Sequence, residues 1–200
     1  MKQSVADVLA ELSYKTGDFT LSSGSKSNEY LDVKSALLSA RRGNWLAYAV
    51  RCGVLDVADS PIDVLAGVET GGLLLACLVG NVMLLPALAI RKDDRSHGAT
   101  RYGIDGLDNL VHLGGGVGGG MNGALSVWLL EDVITTGQSV IAAIDKLRCV
   151  PNLRLDGVAA LVDREQSGIE AIKAHAGLDR VFALATLTQI REAAAALKAA

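Results

Sequence analysis

The stretch 127–139, VWLLEDVITTGQS, constrains the fold of the chain more than any other segment. Its first four residues are apolar and form a run typical of a buried parallel strand. Glu131 and Asp132 follow directly, so we expect both acids at the carboxyl end of that strand, where open α/β sheets bind their ligands. The remaining residues lead into VIAAIDKLR, whose apolar spacing predicts an amphipathic helix.

The turn between the acid pair and this helix is a candidate phosphate site. Backbone amides that enter a helix point towards one spot, and the amino end of the helix adds about half a positive charge. Because carboxylates repel a phosphate, we expect Glu131 and Asp132 to face a polyol, or a metal attached to it. A phosphorylated sugar meets both requirements. The alternative is an ordinary capped junction between a strand and a helix.

This segment closely resembles the phosphoribosyl-diphosphate (PRPP) motif of the type I phosphoribosyltransferases. In that family the two acids hold the ribose hydroxyls, and the turn holds the 5-phosphate. The resemblance implies a PRPP site made of consecutive residues, namely Glu131, Asp132, Val133, Ile134, Thr135, Thr136, Gly137, Gln138 and Ser139.

Length and composition predict one domain, covering residues 1–200, that binds a small molecule. Half of the 200 residues are apolar, which is enough for one full core. The net charge of −3 and the lack of a basic stripe argue against a nucleic-acid partner. Three widely spaced cysteines, Cys52, Cys77 and Cys149, predict reduced, buried thiols in a cytoplasmic protein. We expect neither a signal peptide nor a membrane span.

Helix and strand patterns alternate along most of the chain. Helices are predicted at 4–13, behind a Ser4 cap, and at 35–57, and buried strands at 64–67, 87–90 and 158–162. This alternation predicts an α/β fold with a central, parallel-rich sheet flanked by helices. A loop and a short strand near 30–33 would form a small amino-terminal hood, about 18–36, above the strand ends.

A second chemical signal is RKDDRSHG, at 91–98, directly after the strand at 87–90. Cations at a strand end, beside a phosphate site, would neutralise a departing diphosphate, although charge runs are usually solvated faces. The run is similar to the RKxxKxHG signature that begins the mobile catalytic loop of orotate phosphoribosyltransferases. The resemblance implies that four residues contact the diphosphate, namely Arg91, Lys92, Arg95 and His97. Of these, Arg95 and His97 would reach into the neighbouring subunit.

Two positions in this run differ from the family pattern. The family has a lysine where this chain has Arg95, and commonly an acid where it has Ser96. A guanidinium keeps the charge and grips pairs of oxygens. If a compact ammonium is required instead, the loss of one well-placed donor costs about a hundredfold in rate. We therefore expect a working but slower enzyme whose catalytic residues are Glu131, Asp132, Arg95 and His97.

The region 98–123 holds ten of the 22 glycines, so we expect a flexible loop, about 92–125, without helix or strand. In the family the corresponding loop closes over the substrates and excludes water. For GGGVGGG, at 114–120, a passive linker is the alternative. Contact candidates within the loop are Arg101, Tyr102 and His112.

Three further segments imply contacts to the other parts of the substrates. FTLSSGSKSNEYLD resembles the FTLxSGxxSxxYxD segment of orotate phosphoribosyltransferases, although some members have a lysine at Ser22. DREQSG resembles their DRxxxG segment, whose arginine pairs with the orotate carboxylate. The turn 69–72 could meet the diphosphate through its amides, and some relatives have a lysine at Gly71. The implied orotate contacts are Lys26, Tyr30, Leu31, Thr135 and Arg164.

Together these resemblances imply a type I phosphoribosyltransferase fold and Mg²⁺-dependent transfer of ribose 5-phosphate from PRPP to orotate, in pyrimidine biosynthesis. Magnesium would be held mainly by PRPP and water rather than by direct protein ligands. The protein would be a cytoplasmic homodimer. Three alternatives remain: a phosphoribosyltransferase for another nucleobase, a PRPP-binding regulatory paralogue, and a plain nucleotide-binding module.

Overall fold

The structure is a computed structural model that describes residues 3–20, 24, 26–92, 101–111 and 124–199. The strands are β1 (Tyr14–Thr20), β2 (Lys26–Leu31), β3 (Val64–Val68), β4 (Ala87–Ile90), β5 (Ile104–Asp105), β6 (Leu125–Ile134), β7 (Leu153–Asp163) and β8 (Val181–Thr186). The helices are α1 (Val5–Leu12), α2 (Val33–Leu37), α3 (Ala40–Val57), α4 (Gly71–Met83), α5 (Leu107–Val111), α6 (Gln138–Arg148), α7 (Gly168–Ala176) and α8 (Leu187–Ala199).

The central sheet has six strands in the order β5-β4-β3-β6-β7-β8. All neighbours are parallel except β5, which runs antiparallel to β4 at one edge. Each parallel connection passes through a helix, as this strand order requires. The carboxyl ends of β3, β4, β6 and β7 therefore meet at one edge of the sheet.

Helices cover both faces of this sheet and give two apolar layers. One layer joins α1, α3 and α4 to the sheet, and its buried residues include Leu9, Leu46, Leu75 and, on the sheet, Trp128. The opposite layer brings Ile144 of α6 and Ile172 of α7 onto Leu129 and its neighbours. Every residue of β3 is buried, as expected of a strand covered on both sides. The predicted α/β fold with a parallel-rich sheet is confirmed.

The first helix begins as the sequence predicts. The Ser4 hydroxyl accepts a hydrogen bond from the amide of Asp7 at 3.1 Å, and the Asp7 carboxylate accepts one from the amide of Ser4 at 2.8 Å. This reciprocal pair satisfies two amides that the helix itself leaves unpaired. None of the helices in the described part of the chain combines the length and apolar character needed to cross a membrane.

The amino-terminal region differs from the prediction in two places. Residues 14–20 form a strand that the sequence analysis missed, and the strand expected near 30–33 is β2, which ends at Leu31. The polar sequence of β1 gives no strand signal because its order comes from antiparallel pairing with β2 and from the Phe19–Tyr30 ring contact. The predicted helix at 35–57 is two helices, α2 and α3.

The helix breaks at 38–39 because the chain turns tightly between α2 and α3. A Cβ atom at Gly43 would overlap the carbonyl oxygen of Leu37, so the two helices meet at a glycine. Leu38 is left 71% exposed at the bend. The helical spacing of apolar residues continues across the bend, so the sequence does not reveal the break. The break follows from the contact between Gly43 and Leu37.

The prediction that 98–123 lacks helix and strand is wrong for 101–111, which contain a 3₁₀ turn, β5 and α5. Ile104 pairs with Ile90 of β4 and is 1% exposed, so burial at the sheet edge offsets the backbone entropy of the neighbouring glycines. The run 114–120 lies outside the described residues.

The prediction of buried thiols is also wrong. Cys52 on α3, Cys77 on α4 and Cys149 after α6 are all free, as expected, but all are exposed. Each lies among apolar neighbours in sequence, yet its side chain is exposed to solvent. Periodicity, rather than local composition, decides which side of a helix is buried.

Candidate active site

The acid pair lies inside β6 rather than after it, which corrects the predicted boundary. The strand continues to Ile134 because its last residues still pair with β7, where Ile134 lies opposite Asp163. The neighbouring strand β3 pairs with β6 only as far as Leu130. Glu131 and Asp132 therefore lie on the part of β6 that extends beyond its β3 pairing, at the edge where ligands bind in such sheets.

The turn between β3 and α4 packs directly against these acids. A Cβ atom at Gly71 would overlap the Asp132 carboxylate, and one at Gly72 would lie 2.6 Å from the carbonyl oxygen of Leu130 and 3.0 Å from Glu131 Oε1. The peptide bond between Glu69 and Thr70 is cis. Only glycine fits at these two positions, so the amino end of α4 is held beside the acid pair.

Glu131 is 6% exposed, and its burial raises the pKa of its carboxyl well above the ordinary 4.5. The adjacent Asp132 carboxyl raises it further, while the amide of Asp132, 3.0 Å from Glu131 Oε1, and the charge of Lys92 oppose the rise. Burial and the neighbouring carboxyl group therefore favour the protonated form of Glu131.

The predicted phosphate turn has the geometry of an anion site. Gly137 adopts φ 81° and ψ −4°, and a Cβ atom there would lie 2.8 Å from the carbonyl oxygen of Gly168. Glycine is therefore required for the turn to close against α7. No side chain caps α6, so the amides of its first turn, from Gln138 onward, remain available to a ligand.

A cleft of about 960 Å³ lies beside this turn, between the β1–β2 hairpin and the end of β7. Arg164 reaches into it, and its Nε is buried without a hydrogen-bond partner. Thr135 lines the cleft as well as forming the phosphate turn, so the two parts of the site are contiguous. The lining residues are Lys15, Phe19, Thr20, Glu29, Tyr30, Leu31, Lys34, Thr135, Arg164 and Gln166.

Of the five predicted base-side residues, the structure brings four into this cleft. Lys26 instead lines a neighbouring depression of about 470 Å³, beside the tip of the hairpin. The two hollows share Phe19 and Thr20. Lys26 thus lies next to the cleft rather than in its lining.

Arg91 lies at the end of β4 and is held by β5. Its Nε donates to Asp105 Oδ2 at 2.8 Å, its amide donates to the carbonyl oxygen of Gly103 at 3.0 Å, and Lys146 Nζ donates to its carbonyl oxygen at 2.8 Å. The segment just after β4 is thereby fixed at the ligand-binding edge of the sheet. The predicted residues Ser22, Arg95, His97 and His112 lie outside the described residues.

Several polar residues of the site were missed by the sequence analysis. Lys15 lies on the unpredicted strand β1. Lys34 lies in the short helix α2, which follows β2. Gln166 is two residues after Arg164, so its place in the same turn was a usable signal. Glu29 and Asp105 gave no signal, because their roles depend on arginines distant in sequence.

Comparison with known proteins agrees with this geometry. No protein-family model matches the chain. The chain is 35% identical over 175 residues to the orotate phosphoribosyltransferase of Nostoc sp., covering 85% of this chain and 76% of that protein. It is 36% identical over 182 residues to that of Sorangium cellulosum, covering 88% and 86%. The chain belongs to the orotate phosphoribosyltransferase family.

A solved orotate phosphoribosyltransferase from Mycobacterium tuberculosis H37Rv, in complex with PRPP, has the same fold. It superposes with a TM-score of 0.65 at 28% identity, over 94% of this chain and 96% of that one. The orotate phosphoribosyltransferase resemblance drawn from four separate motifs is thus confirmed at the family level.

Replacement of Gly71 by alanine tests the contact between the α4 turn and the acid pair. Because the added methyl group overlaps the Asp132 carboxylate, we expect Gly71→Ala to lower kcat/KM for PRPP about 10- to 100-fold. Cys77→Ala, on the exposed side of α4, is the matched control and should keep full activity. Wild-type kinetics for Gly71→Ala would mean that Asp132 need not hold its present position.

Replacement of Glu131 by glutamine separates stability from activity. Folding raises the pKa of Glu131, so its protonated form stabilises the folded state. This contribution to the free energy of unfolding is fully present below about pH 4.5 and is lost as the pH rises through the folded-state pKa. Glu131→Gln should therefore unfold like the wild type near pH 4, and should gain on the order of 1 kcal/mol at alkaline pH, while losing activity. Thermal unfolding across pH measures this. Glu170→Gln, exposed on α7, should show no such pH-dependent gain.

Proposed function

We propose that this protein transfers ribose 5-phosphate from PRPP to N1 of orotate, which yields orotidine 5′-monophosphate and diphosphate. One observation carries the proposal. A strand-end acid pair lies between two glycine turns that open helices, next to a cleft that contains a buried guanidinium nitrogen without a partner. Membership of the orotate phosphoribosyltransferase family selects this reaction among those that such a site could support.

The donor would bind across the ends of β3 and β6. Glu131 and Asp132 would hold the ribose hydroxyls, and residues 135–139 would hold the 5-phosphate at the amino end of α6. The anomeric carbon becomes cation-like as diphosphate leaves, and a nearby carboxylate favours that charge. The turn at 71–72 places the amino end of α4 beside the same acids, where it suits the diphosphate.

The leaving group would be met by cations from the segment after β4. Arg91 and Lys92 directly follow β4 at this edge of the sheet, and Arg91 is held there by Asp105. Arg95 and His97 would join them and would reach the neighbouring site in a homodimer. The charge that develops on the diphosphate would thus be neutralised from the side opposite the 5-phosphate.

The acceptor would occupy the cleft next to the phosphate turn. The planar fork of Arg164 suits the orotate carboxylate, because two parallel hydrogen bonds match its two oxygens. Thr135, Tyr30 and Leu31 would border the pyrimidine ring, and Lys26 would approach from the hairpin tip. Thr135 belongs to both the cleft and the turn, which supports a base that binds beside the ribose, as the transfer requires.

The oxygen donors at the acid pair fit a magnesium ion that is bound mainly through substrate. In the described part of the chain, no group of three or more His, Cys, Asp or Glu side chains is arranged to hold a metal. Mg²⁺ prefers oxygen ligands and keeps several waters, so PRPP and water would supply most of them, while Glu131 and Asp132 hold the ribose hydroxyls. When bound, it would add positive charge to the diphosphate.

Three wider features belong to the same proposal. The chain would form one domain, with the β1–β2 hairpin as a hood and 92–125 as the catalytic loop. The similarity of RKDDRSHG to the loop signature supports a homodimer with shared sites. The free thiols of all three cysteines suit a cytoplasmic protein.

Arg164→Ala tests the assignment of the base. In the presence of PRPP and Mg²⁺, the wild type should consume orotate, and Arg164→Ala should lower kcat/KM for orotate about a hundredfold, since a charge-assisted pair is lost. Arg41→Ala, exposed on α3, is the matched control. The readout is the decrease in orotate absorbance, with uracil, adenine and hypoxanthine as alternative acceptors.

Two results would overturn the proposal. Turnover of another base that is unaffected by Arg164→Ala would indicate a different nucleobase specificity. PRPP binding without turnover of any base, even after Arg95→Lys, would indicate a regulatory paralogue.

A further inference from the structure

One residue of the base cleft is unexpected for a site that accepts an anion. Glu29, on β2, lines the same cleft as Arg164, and its side chain is 15% exposed. An unpaired carboxylate there would repel a substrate carboxylate and would attract the guanidinium of Arg164. Either effect would weaken the recognition of an acidic base.

Arg191, on α8, occupies both oxygens of this carboxylate. Its Nε donates to Glu29 Oε2 at 2.9 Å, and its Nη2 donates to Oε1 at 2.5 Å. The Tyr14 hydroxyl adds a third hydrogen bond, to Oε2 at 2.7 Å. Arg191 is not among the residues that line the cleft, so it neutralises Glu29 from outside.

The hydrogen bonds from Arg191, with smaller help from Tyr14 and the charge of Arg164, lower the pKa of Glu29 to about 2 against the effect of burial. Glu29 is therefore ionised at every pH at which the protein would work. Its charge must be cancelled by a partner rather than by a proton.

Arg164 remains available although an ionised acid shares its cleft. Its Nε is buried and has no hydrogen-bond partner, whereas both oxygens of Glu29 are taken. The geometry points to Arg191 as a positioning residue for base specificity. By holding Glu29, it keeps Arg164 free for the carboxylate of the acceptor and removes the charge that would repel it. This inference rests on the proposed function, because it concerns how the cleft admits an acidic base.

Arg191 also helps to anchor the hairpin, which the test must separate from its role in recognition. The Glu29–Arg191 pair joins β2 to α8, and Lys198 Nζ donates to Thr16 Oγ1 of β1 at 3.2 Å. Loss of anchoring alone would disturb all ligands of the cleft. Loss of charge compensation would disturb only ligands with a carboxylate.

The discriminating experiment compares two nucleotides by calorimetry on the full chain. Orotidine 5′-monophosphate carries the carboxylate, and uridine 5′-monophosphate lacks it, while both carry the 5-phosphate. For Arg191→Met, which keeps the apolar stem, we expect the Kd of orotidine 5′-monophosphate to rise about tenfold or more, with that of uridine 5′-monophosphate changed less than about twofold.

Two further variants complete the design. The double variant Glu29→Gln with Arg191→Met removes both charges, so the preference for orotidine 5′-monophosphate should return to within about threefold of the wild type. Lys198→Met loosens the hairpin without touching Glu29 and should leave the preference unchanged. If Arg191→Met does not fold, Arg191→Lys replaces it. One ammonium cannot hold both oxygens in the same way, so an intermediate loss of preference is expected.

The outcomes distinguish the inference from the function on which it rests. If the wild type shows no preference for orotidine 5′-monophosphate, the proposed function fails. If the wild type shows the preference and the Arg191 variant keeps it, or if the variant weakens both nucleotides equally, only the role of Arg191 is overturned. A double variant that is as poor as the single one would also overturn that role.

Discussion

The contact between the Gly71–Gly72 turn and the acid pair of β6 is the constraint on which the rest of the site depends. Neighbouring parallel strands end at the same edge, so the turns that follow β3 and β6 are brought together by the topology. They can touch only because glycine places no Cβ atom against Glu131 and Asp132. Two helix amino ends and two carboxyl groups thus share one edge of the sheet.

This arrangement places the partial positive charges of two helix amino ends and two carboxyl groups at the same edge of the sheet. Burial and the neighbouring Asp132 favour a proton on Glu131, while the partial positive charges of α4 and α6 favour anions beside it. A ligand with hydroxyls between two phosphate-bearing ends matches this distribution better than a simple anion does. The cleft of Arg164 adjoins the turn that follows β6, because Thr135 belongs to both.

The sheet could be predicted from the sequence where burial on both faces leaves an uninterrupted apolar run. The strand β3, in which every residue is buried, and the apolar run 127–130 of β6 are such cases. Thr135 and Arg164 could be placed in one site because both follow strands whose carboxyl ends meet. The boundary of β6 could not, since pairing with β7 extends the strand through the polar acid pair.

The remaining features depend on contacts that no local pattern encodes. β1 is ordered by β2, and β5 by β4, and each contains residues that in isolation are typical of a loop. The orientation of the three cysteines follows from which face of each helix the sheet covers. Glu29 lies at an unspecified position of its motif, and its partner Arg191 is 162 residues away in the sequence.

A crystal structure with PRPP and Mg²⁺ would show whether the acid pair and the turn at 131–139 hold a sugar phosphate. We expect the 5-phosphate within hydrogen-bond distance of the backbone amides at 136–139, with the ribose hydroxyls on Glu131 and Asp132. A structure in which PRPP binds elsewhere and leaves both carboxylates in contact with solvent alone would contradict this assignment.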